Sequence, residues 1–266
     1  MAGVVEQAGS SDQPPAKISV RGLAMQFGAG ADAITPFVDL NFEVLAGEFV
    51  CIVGPSGVGK TTLLHVIAGL EKATAGEVLV SGEAVGGPGP DRAVVFQEDA
   101  VFPWYTVEQN LAYGPKARGW PKERTQNAVK HYLKVVGLER FHAFYPRQLS
   151  GGMKKRVDLA RNFVNDPDIV LMDEPFGGLD VMTKQVLQEE TLTIWEDSHK
   201  TILFVTHDLE EAIFLADRVL ILATSTELHQ YGNVLPRPRT SDMRTSEEAQ
   251  EYRRELSRVI GRKGER

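Results

Sequence analysis

The hydrophobic positions of this chain fall into two kinds of pattern. Five short runs, Phe49–Val53, Ala93–Phe96, Ile169–Met172, Ile202–Val205 and Val219–Leu222, are apolar at every position. Continuous runs of this length, flanked by turns, read as parallel strands covered on both faces. Between them lie stretches with helical spacing: Thr61–Leu70, Arg156–Val164 and Leu209–Ala216. Alternating strands and helices predict an α/β fold with a sheet covered on both sides. From Thr106 to Asp158 the strand signal lapses, and Val107–Tyr113 and Lys122–Val136 read as helices, the second ending at Gly137. That segment predicts a helical subdomain inserted into the α/β core.

At the front, Leu79–Val80 and Ser81–Gly82, after Gly76, predict a small antiparallel hairpin. Beyond Leu222 the pattern degrades. Leu235-Pro236-Arg237-Pro238-Arg239 predicts no regular element, because proline lacks the amide donor. A last helix is predicted from Glu247. Thr245 and Glu248 have capping-box spacing, and Tyr252, Leu256, Val259 and Ile260 share one face. The expected organisation is a leader at 1–15, a main domain at 16–234 with its helical subdomain at about 103–158, and a tail at 235–266 carrying the last helix.

Composition narrows the class. At 266 residues, 42% hydrophobic and 24% charged, the chain reads as an ordinary globular protein with ample length for a core. A net charge of -7 argues against nucleic acid as a partner, since phosphate backbones select basic surfaces. The first 15 residues lack a basic cluster followed by an apolar core, so they do not read as a signal peptide. No run approaches the roughly 18 apolar residues of a membrane span, and a soluble chain is expected. The single cysteine, Cys51, lies inside an apolar run and reads as a small buried hydrophobe.

Chemistry enters at Gly54-Pro55-Ser56-Gly57-Val58-Gly59-Lys60-Thr61, a phosphate-loop pattern with a buried strand before it and an apolar-periodic helix, opening at Thr61 and Thr62, after it. Glycines let the backbone turn its N–H groups toward an anion, and the helix N-terminus adds partial positive charge. Lys60 is expected to reach the β- and γ-phosphates of a nucleotide and the Thr61 hydroxyl to hold Mg²⁺. The run Ile169–Met172 ends in Asp173 and Glu174. Strand ends of open α/β sheets face the ligand crevice. Asp173 is therefore expected to bind Mg²⁺, and Glu174 to orient or deprotonate the water that attacks the γ-phosphate. His207 ends the next strand toward the same crevice, placed to sense a γ-phosphate, and Gln97 follows Ala93–Phe96 within reach of the Mg²⁺ shell or the water. His65, His131, His142, His199 and His229 have no such placement and read as surface or packing residues.

Leu149-Ser150-Gly151-Gly152-Met153 resembles the signature motif of ABC ATPases. With it, Asp173–Asp180 looks like that family's acidic strand end and D-loop, Gln97 its Q-loop, His207 its switch histidine, and Phe27 the aromatic that stacks on adenine. The resemblance spans Ile18 to Leu222. It implies a P-loop NTPase with a RecA-like core, a small antiparallel β part and the inserted helical subdomain. It also implies ATP and Mg²⁺ as cofactors. Ser150-Gly151-Gly152 opens a helix, so its N–H groups and dipole offer a second anion site. In the family that site, with Asp180, meets the ATP of a second copy or paralogue, and two nucleotides are sandwiched between head-to-tail domains.

Phe102-Pro103-Trp104-Tyr105-Thr106-Val107 with Asn110 and Gly114, and the stretch Leu235–Thr240, look like the nitrate, sulfonate and taurine importer ATPases. That subfamily implies a transmembrane permease partner, a solute-binding protein acting indirectly, and a place on the cytoplasmic face of the membrane. Phe102, Trp104 and Tyr105 would be docking aromatics or would simply pack the helical subdomain. An ABC exporter, a non-transport ABC ATPase and a single-site phosphate-loop kinase or GTPase remain the competing readings. The sequence departs from the family pattern at Lys155, where glutamine is commoner, and at Asp158, where a small apolar residue is usual. Neither is expected to touch the chemistry directly. Ala223–Glu227 replaces the usual glycine-containing turn.

Overall fold

The computed structural model describes residues 15–98 and 100–261. The expected leader therefore falls outside the described residues, apart from Pro15. In chain order the elements are β1 (Ala16–Phe27), β2 (Ile34–Leu45), β3 (Phe49–Val53), α1 (Lys60–Ala68), β4 (Ala75–Val80), β5 (Glu83–Ala84) and β6 (Arg92–Val95). The helical stretch follows, with α2 (Val107–Ala117), α3 (Lys122–Val135) and α4 (Gly151–Phe163). The rest comprises β7 (Ile169–Asp173), α5 (Val181–Ser198), β8 (Thr201–Thr206), α6 (Leu209–Leu215), β9 (Arg218–Leu222), β10 (Leu228–Gly232) and α7 (Glu247–Gly261).

Six strands form one sheet in the order β10-β9-β3-β8-β7-β6, parallel except for the edge strand β10. Its strands alternate faces, as a period of two requires. Phe49, Cys51 and Val53 join the core under the helices, whereas Val50 and Ile52 join a second core with α1 and the front sheet. Both faces are buried, which is why the runs read as continuously apolar. Burial also pushes the Cys51 thiol well above its usual range, consistent with an inert packing role.

The front sheet, β2-β1-β4-β5, is antiparallel, and its two long strands escaped the sequence reading for a physical reason. In β1 the buried apolar positions are Ile18, Val20, Leu23 and Met25; in β2 they are Phe37, Leu40, Phe42 and Val44. The phase slips at Gly22 (φ 55°) and Asp39 (φ 54°), both left-handed, with Gly22 N–H donating to Asn41 Oδ1 at 2.7 Å. A β-bulge inserts one residue and inverts the alternation beyond it.

The predicted final helix exists, with a different cap. Ser246 Oγ accepts from Ala249 N–H at 3.2 Å, whereas Thr245 Oγ1 donates to Asp242 O, so Thr245 does not cap it. Tyr252 and Leu256 are buried as expected. The stretch around Leu235–Arg239 has no regular element but is tied down: Asn233 donates to Ile213 O and Ala216 O, and Arg239 to Phe214 O. In the turn after β9, the buried Thr224 hydroxyl accepts from Thr226 and Glu227 N–H, closing it without glycine.

Candidate functional site

Parallel register sets the site. Val53 pairs with Thr206 and Asp173 with Val205, so β3, β7 and β8 end at one level of the sheet. The next residues along the chain, Gly54, Glu174 and His207, therefore leave from the same edge. The segment from Gly54 to Gly59 leads from β3 into α1, and side chains are excluded from it at two points. A Cβ on Gly54 would stand 2.4 Å from Leu222 O, and one on Gly59 (φ 108°) would stand 2.7 Å from Pro36 Cβ. At Gly57 (φ 78°) a Cβ would meet nothing within 4 Å, so open space lies beside the loop there. These are the requirements of a backbone cradle for an anion.

Lys60 is buried, and its Nζ donates to Gly54 O at 2.9 Å and Pro55 O at 3.0 Å. Burial lowers its pKa, against the raising effect of Glu174 and Asp173. Thr61 Oγ1 donates to Asp173 Oδ1 at 3.0 Å. Asp173 is 5% exposed, and burial holds its carboxyl above the usual range despite the Thr61 hydrogen bond. A buried carboxylate facing a hydroxyl at the head of α1 fits a divalent cation, whose charge offsets that desolvation.

Glu174 occupies the left-handed region (φ 41°), a conformation that costs a non-glycine residue about 1–3 kcal/mol. Its N–H donates to Val205 O at 2.9 Å, and its Oε2 lies 2.9 Å from His207 Nδ1. Gln97 is exposed beyond β6, and a Cβ on Gly177 would stand 3.7 Å from its Nε2. The turn that closes β7, where Gly177 N–H donates to Glu174 O at 3.0 Å, thus brings Gln97 beside Glu174.

Several groups that hold the His207 turn escaped the sequence reading. Thr206 Oγ1 donates to Glu211 Oε2 at 2.5 Å and accepts from Asp208 N–H at 3.0 Å. Lys184, from α5, pairs with Asp208 at 3.0 Å and with Glu211 at 2.8 Å. Burial alone would lower the Lys184 pKa, but the hydrogen bonds to Glu211 and Asp208 carry it upward. Asp208 is shifted down: burial opposes this, and Lys184 and backbone N–H groups prevail. The depressed Asp208 stabilises the fold above about pH 4 and loses that contribution as pH falls through its folded pKa. The raised Lys184 contributes below about pH 10 and loses that contribution as pH rises through its folded pKa. Lys184→Met is therefore expected to lower the melting temperature by about 2–4 °C at neutral pH, with the gap closing at acid pH. Melting curves of both proteins across pH check this. No chain spacing points to Lys184, which meets its partners only through packing of α5 on α6.

Ser150 Oγ caps α4 by accepting from Met153 N–H at 3.3 Å. Gly151 and Gly152 open the helix, and a Cβ on Gly152 would stand 2.7 Å from Thr183 Cγ2. Asp180, which caps α5 through Thr183 N–H at 3.0 Å, therefore adjoins the start of α4. Hydrogen bonds from Thr183 hold the exposed Asp180 carboxyl below its usual range. Among the described residues no hydrogen bond or ion pair joins Ser150–Gly152 to the phosphate loop. Within one chain the two segments are thus not tied to each other. Phe27 is 40% exposed and pairs with Ile34, just before Pro36 and Phe37, which lie against Gly59.

The aromatic loop after Gln97 is fixed from beneath. Asn110, fully buried, accepts from Phe102 N–H at 2.8 Å and donates to the carbonyls of Phe102, Tyr105 and Thr106. Phe102 packs on Tyr113 with ring centroids 4.7 Å apart, whereas Trp104 is 66% exposed.

Residues 37–177 match the ABC transporter family model. The chain is 45% identical to an uncharacterized ABC transporter ATP-binding protein of Methanocaldococcus jannaschii, over 94% of this chain and 93% of that one. It is 47% identical to the nitrate import ATP-binding protein of a Synechocystis strain, over 72% of each chain. It is 39% identical to an aliphatic sulfonates import ATP-binding protein of Bacillus cereus, over 93% and 97%. A solved dimeric ATP-binding cassette in a post-hydrolysis state, bound to ADP and Pi, superposes with a TM-score of 0.70 at 29% identity, covering 81% of this chain and 98% of that one. With a phosphate loop, an acidic strand end and a signature helix each in its place, the chain belongs to the ABC transporter family and is an ATP-binding, ATP-hydrolysing subunit.

Proposed function

We propose that this ATPase powers import of a small oxyanion-bearing solute, nitrate- or sulfonate-like, from the cytoplasmic face of a membrane permease. The hydrolytic part rests on one observation: the Glu174–His207 contact at 2.9 Å, set beside the Thr61–Asp173 pair at 3.0 Å. The import part is supported by the identity to nitrate and sulfonate import ATP-binding proteins. Among the described residues no helix is long and apolar enough to cross a membrane, so a separate permease would form the path.

In this reading the N–H groups from Gly54 to Thr62 cradle the β- and γ-phosphates, and Lys60 exchanges its two carbonyl partners for phosphate oxygens. Thr61 and Asp173, with Gln97 nearby, would hold Mg²⁺, which supplies neutralising charge. Glu174 takes the proton of the attacking water, and His207 holds Glu174 on one side and the γ-phosphate on the other. Phe27 stacks on the adenine. Trp104 and its aromatic neighbours receive the permease. Ser150, Gly151 and Gly152, with Asp180, cover the phosphates held by a second copy or a paralogue, since a single chain leaves them open.

The shared site makes a kinetic claim. The hydrolysis rate per chain is expected to rise with protein concentration and level off once dimers form. Steady-state rates over a hundredfold dilution series, read beside the mass in solution, check this. A constant rate in a demonstrated monomer would favour a single-site kinase or GTPase mechanism instead.

A further inference from the structure

The two departures from the family pattern, Lys155 and Asp158, lie on one face of α4 with Arg161, at i, i+3 and i+6. Lys155 is 3% exposed and Asp158 fully buried. The Lys155 ammonium donates to Phe96 O at 3.1 Å and Gln97 O at 3.2 Å, and lies 4.0 Å from Asp158 Oδ2. Arg161 donates to Ala100 O, lies 3.6 Å from Asp158 Oδ1, and covers the Phe102 ring at 4.8 Å. One turn before this face, α4 begins at the Ser150 cap. Lys155 therefore grips the backbone of Gln97 itself, without a direct contact to the groups read as reacting.

We infer that Lys155 is a positioning residue for hydrolysis: it fixes the backbone of Gln97 and ties it to the helix that presents Ser150–Gly152. A glutamine has a shorter stem and two donors, against three on an ammonium that Asp158 attracts. Burying opposite charges is a weak source of stability, and its attested use is to fix one arrangement. Here the arrangement joins three parts of the proposed machinery. The Phe102 end of the aromatic loop, Gln97 and the start of α4 are held by one helix face, so a push on that loop would move Gln97 and the signature segment together. The inference rests on the reading of Gln97 as a site residue.

The experiment is a double-mutant cycle on ATP hydrolysis by the full chain: Gln97→Ala, Lys155→Met and the two combined, each checked by thermal melting. Lys155→Met is expected to lower kcat about tenfold, with KM for ATP changed less than about threefold, because displacing a site group by a fraction of an ångström is costly in rate. Lys155→Arg should keep most of the rate. In the Gln97→Ala background, Lys155→Met should cost less than about twofold, since the group it positions is gone. Should Lys155→Met fold poorly, Lys155→Met with Asp158→Ala removes both buried charges and is expected to show the same kcat loss and the same dependence on Gln97. Equal losses in both backgrounds, or an unchanged kcat in a folded variant, would overturn the inference while leaving Gln97 in the site. An unchanged kcat in Gln97→Ala would remove Gln97 from the site, and the role of Lys155 with it.

Discussion

Glu174→Gln is expected to lower the ATP hydrolysis rate by about 10²–10⁴ while ATP binding survives. The substitution keeps the side chain's shape and one acceptor oxygen, so the contact with His207 Nδ1, now 2.9 Å, can persist. What it removes is the base that takes a proton from the attacking water. It also removes a negative charge from the neighbourhood of the γ-phosphate, which favours the closed, ATP-bound state. The left-handed backbone at Glu174 is unchanged by the swap, and stability should change little. Single-turnover rates and nucleotide affinity, measured separately, distinguish this outcome from a binding defect. A variant hydrolysing at the parental rate would move the base function to another group, His207 first.

Lys60→Ala is expected to reduce hydrolysis to background and to weaken ATP binding about 10–100-fold, the range for losing charge-assisted hydrogen bonds worth roughly 1.5–3 kcal/mol. Lys60 is the lysine of the loop, and its ammonium stands against the carbonyls of Gly54 and Pro55 until phosphates take their place. Burial disfavours that charge, and Asp173 and Glu174 favour it. Alanine removes the ammonium of the cradle and leaves its N–H groups intact, so some binding should remain. Titration of a fluorescent ATP analogue, with turnover in parallel, reads both effects. Unchanged turnover would sink the phosphate-loop assignment.

Much of the site was legible because its residues follow strand ends. A buried parallel strand reads as an unbroken apolar run, and where the run stops the next residue faces the crevice. Glu174 and His207 follow that rule, Gly54 opens the phosphate-loop pattern after β3, and the register of β3, β7 and β8 brings all three to one edge. The helical stretch was legible for a similar reason, through Gly137 and the spacing within α2 and α3.

The rest was hidden by packing. In β1 and β2 the bulges at Gly22 and Asp39 invert the alternation that would have marked strands. Helix α5 buries Gln188 and Thr191 and exposes Val181, Met182 and Val186, so polarity does not mark its sides. Strand β10 has no fully buried residue and pairs only at the sheet edge with β9. Lys155 showed as a departure from a pattern, but its target, the carbonyl of Gln97, lies 58 positions away in the chain. Lys184 reaches Asp208 across 24 positions. Side chains that hold a site from behind take their partners from the tertiary fold, which no local spacing records.

The central claim is that the phosphate loop of one chain is completed by Ser150–Gly152 of another. Its most direct test is the mass in solution of Glu174→Gln, by size-exclusion chromatography with light scattering, in ATP, in ADP, and in ATP with Ser150→Arg added to the same chain. Twice the mass of one chain is expected in ATP, and a single chain in ADP and in the Ser150→Arg variant, which blocks the start of α4. A Glu174→Gln protein that binds ATP yet stays a monomer, or a dimer indifferent to Ser150→Arg, would contradict it.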